Sequence, residues 1–115
     1  MKRVIRGAIF YANLDPVVGS EQSGQRLVVV VQNDIGNKYS PTTIVVPITS
    51  KSSKYRKQPT HIYVKQFSEI RPNSIILAEQ IRVIDKIRLK GYLDILEEET
   101  MKEVDKAIKI ALCLK

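Results

Sequence analysis

A single cysteine, Cys113, stands among the 115 residues, and this scarcity excludes both an intrachain disulfide and a cysteine-based zinc site. A reducing compartment is the simple expectation. No apolar run approaches the roughly 20 residues that a membrane span requires, so no membrane association is expected and the cytoplasm is the expected location. The N-terminal stretch MKRVIRGAIFYANLD starts basic, but its apolar part is short, is broken by Asn13 and Asp15, and leads to no small-residue cleavage site. Repeats, low-complexity tracts and linker-like segments are also missing, which predicts one domain over residues 1–115.

Acidic residues are scarce in one part of the chain only. Residues 1–66 carry ten Lys+Arg against three Asp+Glu, whereas residues 67–115 carry nine of each, so the whole +7 excess lies in the first part. A polyanion such as nucleic acid, or an acidic peptide, is the natural partner for that part, because Lys and Arg release the counterions condensed on a phosphate backbone. Solubility alone is the bland alternative. What the chain does have is an ordinary globular balance, 43% hydrophobic and 27% charged, enough to order a modest core without crosslinks.

Apolar runs rich in Val, Ile, Tyr and Thr, punctuated by turn residues, predict strands at Gly7–Asn13, Leu27–Gln32, Thr42–Ile48, His61–Val64 and Ile75–Ile84. The uninterrupted stretch Leu27–Val31 reads as a central strand buried on both faces. Asn33-Asp34 and Gly36-Asn37 supply turn chemistry before Thr42, and a weak helical turn is read over Asp85–Leu89. Pro16 and Gly19 open a long loop whose sequence GSEQSGQR holds no apolar residue, so hydrophobic burial cannot be what fixes it.

One strong helix is expected at the C-terminus, where Met101, Val104, Ile108, Ala111 and Leu112 share a face. Thr100 with Glu103, or Asp94 with Glu97, offers a capping box, and Glu97-Glu98-Glu99 places favourable negative charge near the helix start. Cys113, on or beside the apolar face, is expected to be a buried, inert thiol. Several strands followed by one helix predict a small barrel or rolled sheet covered by that helix.

In order, spacing and content, GSEQSGQR followed by LVVVVQND, then SPTTIVVPITS and ILAEQIRVID, resemble the MazF/PemK toxin family from about Arg6 to the last helix. The most specific parts are Gly19-Ser20-Glu21-Gln22 leading to Arg26, and the strand end Pro47-Ile48-Thr49, where polar residues have no obvious packing role. The resemblance implies a mainly β fold with a C-terminal helix, an SH3-like small β-barrel of the MazF/CcdB/Kid type. It also implies a homodimer that cleaves single-stranded RNA at short motifs without metal or other cofactor, and a cognate antitoxin that lays an acidic segment over the RNA-binding groove. The catalytic pair it implies is Arg26 and Thr49. Two positions depart from the family pattern: Ala8 follows Arg6-Gly7 where an acidic residue is usual, and Leu27 follows Arg26 where Pro is usual.

RNA is cut without metal when its 2′-hydroxyl attacks the neighbouring phosphate, leaving a 2′,3′-cyclic phosphate and a 5′-hydroxyl. A guanidinium matches the charge that builds on the phosphorane oxygens, which suits Arg26 to transition-state stabilisation and to protonating the leaving oxygen. A guanidinium keeps its proton far above neutrality and is therefore a poor base, so the base is left open between Glu21 and His61. Thr49 is expected to position the scissile phosphate, with Ser20, Glu21, Gln22 and Gln80 contacting RNA. Lys51, Lys54, Tyr55 and Arg56 are further RNA-binding candidates, since Tyr55 offers a stacking face among cations.

Each of these residues also has a plainer reading: Arg26 as a solvated charge, Thr49 as a good strand residue, His61 as structural and Lys51–Lys57 as a solvated loop. The rival functional readings are a non-enzymatic relative on the same fold that binds a protein target such as DNA gyrase, and a nucleic-acid-binding module without cleavage.

Overall fold

The computed structural model describes residues 3–19, 21, 24–50, 58–65, 70 and 73–115. Among these residues, seven strands and two α-helices follow in the order β1 (Ala8–Asn13), β2 (Gln25–Val30), α1 (Asp34–Tyr39), β3 (Thr42–Ser50), β4 (His61–Val64), β5 (Ser74–Leu77), β6 (Arg82–Asp85), β7 (Leu89–Ile95) and α2 (Glu98–Ala111). Three-residue 3-10 turns occupy Ala78–Gln80 and Lys86–Arg88. The strands form one antiparallel sheet of order β4-β5-β3-β2-β1-β7, with β6 beside β3. The expected mainly β fold with a C-terminal helix is therefore present. No pairing of β4 with β7 closes the sheet among the described residues, so "barrel" describes it only loosely.

β2 is central, as its apolar run predicts, and strand periodicity divides that run between two cores. Val29 and Val31 join Ile9, Val46, Ile48, Ile62 and Ile76 on the face covered by Met101, Val104 and Ala107 of α2. Val28 and Val30 join Ala8, Phe10, Ala12, Val45, Ile84 and Leu89 on the other face, where Val4, Ile5 and Tyr92 pack against them. Phe10 and Tyr92 meet edge to face with ring centroids 5.6 Å apart. A strand covered on both sides can be apolar throughout, which is why no alternation is visible at Leu27–Val31.

β3 organises the sheet because it has more than one neighbour along a single edge. Thr42–Val45 pair with β6, and Ile48–Ser50 pair with β5. Pro47, which has no N–H to give a ladder, falls between these two partners. The expected strand Ile75–Ile84 is accordingly two strands. Ile76 pairs with Ile48 and Arg82 with Val45, so the chain holds three residues more than β3 spans there, and these are extruded as the turn Ala78–Gln80.

Other expectations need correction. Asn33–Tyr39 is not a simple turn but a short helix, its start capped by the Asn33 side chain accepting from the Gly36 N–H at 2.8 Å. The helical turn read over Asp85–Leu89 is the 3-10 turn Lys86–Arg88, and the strand Leu89–Ile95 after it had no sequence signal strong enough to be read, since Lys90, Gly91 and Asp94 interrupt its pattern. Neither capping box forms. Glu97 is the N-cap of α2 without a side-chain hydrogen bond, Thr100 is already helical, and the Asp94 carboxylate accepts from the Ile95 N–H at 2.7 Å. Glu98 and Glu99 do lie in the first turn. Cys113 is exposed, because it follows the end of α2 at φ 57°. There its N–H donates to the Ile110 carbonyl and that of Leu114 to Lys109, a closing motif that turns the side chain away from the core.

Gly7 shows why the chain enters β1 as it does. It has φ +92°, donates to the Val30 carbonyl at 2.8 Å and accepts from Leu96 at 2.9 Å, while Met101 packs against its α-carbon side. The preceding Arg6 donates from Nε to the Val31 carbonyl at 3.0 Å and forms an ion pair with Asp105, tying the N-terminal segment to α2.

Candidate active site

Arg26 lies near the start of β2 and Thr49 near the end of β3. These strands are antiparallel, with Leu27 opposite Ile48, so Arg26 and Thr49 each stand one residue further toward the same end of the sheet. Both line one open cleft of about 430 Å³, together with Tyr11, Gln25, Ser50 and Ser74. The ladder continues across β3, where Thr49 pairs with Ile75 and Ser50 with Ser74. Twenty-two residues separate Arg26 from Thr49 in the sequence, and hydrogen-bonded strands bring them together.

The two side chains differ in setting. Arg26 is half-buried, whereas Thr49 is 8% exposed and Ser74 is 5% exposed. The cleft thus combines a permanent cation carrying a planar fork of donors with two sheltered hydroxyls. Such a set suits a phosphodiester: the guanidinium matches the charge on its non-bridging oxygens and a fixed hydroxyl gives it a register. Tyr11, 42% exposed at the rim, offers a ring face. Sequence reasoning singled out neither Ser74 nor Tyr11. Tyr11 sat in a run that read as ordinary strand, and Ser74 just before the run Ile75–Ile84, with no signal of its own.

A second concavity of about 470 Å³ is lined by Pro16, Glu21, Glu79, Gln80, Ile81 and Arg82. Glu21 and Gln80 therefore come together in it and do not line the Arg26–Thr49 cleft. Glu21 is exposed, and its Oε1 accepts from the Val18 N–H at 2.6 Å. The loop between β1 and β2 is held by polar contacts, as its sequence requires: Leu14 N–H donates to the Gly24 carbonyl at 3.0 Å, and Gly24 N–H donates to the Asp15 side chain at 3.0 Å. Arg82 reaches the Leu14 carbonyl at 3.1 Å and Arg88 the Asn13 carbonyl at 3.2 Å, anchoring the loop's first end.

His61 lines neither cleft. Its side chain is fully buried, with Nε2 2.9 Å from a carboxylate oxygen of Glu79, whose own side chain is 33% exposed. Ser20, Gln22, Lys51, Lys54, Tyr55 and Arg56 lie outside the described residues.

The class that fold and site define is a small antiparallel β protein with a C-terminal helix and an open cleft lined by Arg26 and Thr49. The chain belongs to the family of PemK-like, MazF-like toxins of type II toxin-antitoxin systems, whose model matches residues 5–112. It is 50% identical over 113 residues to Endoribonuclease EndoA of Bacillus subtilis (strain 168), covering 96% of each chain. Among solved structures it is similar to MazF of Deinococcus radiodurans, with a TM-score of 0.85 at 20% identity over 99% of this chain and 100% of that one. A mycobacterial endoribonuclease in complex with its cognate antitoxin gives a TM-score of 0.81 at 21% identity, covering 97% of each chain. At these identities the two structures establish the fold.

Proposed function

We propose that this protein is an endoribonuclease, the toxin of a type II toxin–antitoxin pair, and that it acts as one domain in the cytoplasm. Its substrate is single-stranded RNA, cut by attack of the 2′-hydroxyl on the adjacent phosphate to give 2′,3′-cyclic phosphate and 5′-hydroxyl ends. The observation that carries this reading is the meeting of Arg26 and Thr49 at one open cleft. Family membership and 50% identity to an endoribonuclease support it.

In this mechanism the O2′–P bond forms as P–O5′ breaks, and the proton of the attacking 2′-hydroxyl leaves to solvent at the open cleft. Arg26 neutralises the charge that develops on the phosphorane, donates a proton to the departing 5′-oxygen and regains one from solvent. Thr49 donates a hydrogen bond to a non-bridging oxygen and so sets the phosphate in line with the attacking hydroxyl. No step requires a metal ion. Glu21 and Gln80 in the neighbouring concavity contact RNA away from the cut, with Ser20, Gln22, Lys51, Lys54, Tyr55 and Arg56 as further contacts. The protein acts as a homodimer and is silenced by an acidic antitoxin segment. That a similar mycobacterial fold was solved as an endoribonuclease with its cognate antitoxin supports this last point.

The test is incubation of purified protein with mixed-sequence single-stranded RNA in the presence of EDTA, beside Arg26→Ala. Cleavage by the wild type that disappears in the variant supports the proposal. Retention of RNA without cleavage favours a binding module, and absence of any interaction with RNA favours a protein target. Cleavage that EDTA abolishes refutes the metal-free mechanism.

A further inference from the structure

Resting on the endoribonuclease reading, we propose that His61 is a positioning residue for RNA recognition: from beneath the surface it holds Glu79, and through Glu79 the three-residue turn that presents Glu79 and Gln80 to the second concavity.

The turn Ala78–Gln80 rests against α2, β3 and β4, with Ala78 in the core and Ile81 packed beside it, so its base is anchored while its outer residues depend on their own contacts. A 3-10 turn makes poorer hydrogen bonds than an α-helix, and at its end this one has a long contact, Ile81 N–H to the Ala78 carbonyl at 3.3 Å. Its N-cap, Leu77, provides no side-chain hydrogen bond. Its first residue is fixed, since Ala78 is fully buried and donates to the Thr60 carbonyl at 3.0 Å. Glu79 and Gln80 are the two residues that line the concavity, and the Glu79 contact to His61 is the side-chain tie seen on them among the described residues.

His61 is suited to that task by its place. It opens β4 opposite Leu77, the residue before the turn, so the strand register delivers the ring to the turn. The side chain is 0% exposed, and packing therefore sets the ring's orientation. An ionised carboxylate only accepts, so the 2.9 Å contact requires the proton on Nε2. Glu79, one-third exposed, spans the distance between this buried donor and the cleft. Successive residues of a 3-10 turn project about a third of a turn apart, so fixing Glu79 also fixes the direction of Gln80. An imidazole that neither touches solvent nor lines the Arg26–Thr49 cleft thus acts on which RNA is held and leaves the chemical step alone.

The experiment compares wild type, His61→Leu, His61→Gln and Glu79→Gln on two probes. These are a randomised single-stranded RNA pool whose cut ends are sequenced, and one oligoribonucleotide carrying the wild type's preferred site. For His61→Leu the expected result is a KM raised about tenfold, a kcat within about threefold, and additional cut sites in the pool; His61→Gln, whose amide keeps a donor, returns both probes toward wild type. Combining His61→Leu with Glu79→Gln is expected to raise KM by less than the product of the single effects, the signature of two groups acting as one. Unaltered KM and cut sites in folded His61→Leu overturn the inference. So does a loss of kcat in step with thermal stability that His61→Gln does not rescue, which marks a merely structural residue. Should His61→Leu not fold, Glu79→Gln carries the test, and an unaltered cut-site pattern there overturns it. A wild type that cuts no RNA refutes the endoribonuclease reading and this inference with it, whereas normal cutting with independent, multiplying effects refutes this inference alone.

Discussion

The two concavities are built by different means. The Arg26–Thr49 cleft stands on the β2–β3–β5 ladder, where backbone hydrogen bonds set the spacing of the side chains. The concavity of Glu21, Glu79 and Gln80 stands on a 3-10 turn and a polar loop, held by individual side-chain contacts such as His61–Glu79 and Glu21–Val18. A ladder leaves little freedom at the point where a phosphate must be aligned to a fraction of an ångström. A turn and a loop can change residue by residue without disturbing the sheet, which suits a surface that decides which sequence is accepted.

This contrast is best broken at its strongest point. Arg26→Ala is expected to lower kcat by about 10³-fold while the thermal midpoint stays within a few degrees, since a half-buried side chain at a strand start contributes little to the core. Single-turnover cleavage and a melting curve measure the two. Next, Thr49→Val keeps the shape and removes the hydroxyl, with kcat expected to fall about 10- to 100-fold and KM to change little. A Val variant that cleaves normally would show the cleft to be a binding surface without a positioning hydroxyl.

Gln80→Ala probes the other side of the comparison. Its KM is expected to rise about three- to tenfold with kcat retained, and the sequenced cut ends should show a relaxed preference. A fall in kcat with unchanged KM would erase the division of labour between the clefts. The smallest effect is expected for Glu21→Ala, which removes the carboxylate that caps the Val18 amide: a loss of about 1 kcal/mol or less in stability, read by denaturant titration, and at most about a threefold change in KM. If Glu21→Ala abolishes cleavage, Glu21 is the general base and the loop belongs with the chemistry.

Much of the fold was legible because it rests on period and propensity. Leu27–Val31 and His61–Val64 announced themselves, the first as β2 with Val31 just past its end and the second as β4. Of the helical face that was read, Met101 and Val104 are buried and Ile108 packs against the core, whereas Leu112 is exposed beyond the helix end and Ala107, not singled out, is buried instead. The interruption of Ile75–Ile84 was not legible, because extruding three residues there depends on β3 having two partners along one edge, a fact that resides in another part of the chain. The capping boxes failed for a similar reason: Asp94 was already committed to β7 and Thr100 to the helix interior. Cys113 looked buried on a helical wheel, yet the helix had ended before it.

For the site, the sequence by itself determined which groups are available: a cation after a polar loop, a hydroxyl at a strand end, and an excess of positive charge confined to residues 1–66. Only the tertiary structure decided that Arg26 and Thr49 share a cleft, that Glu21 and Gln80 share another, and that His61 lies under the surface against Glu79. The physical reason is that composition and periodicity act over a few residues, whereas a site is assembled by strand register, and register is settled only when the whole sheet finds its core.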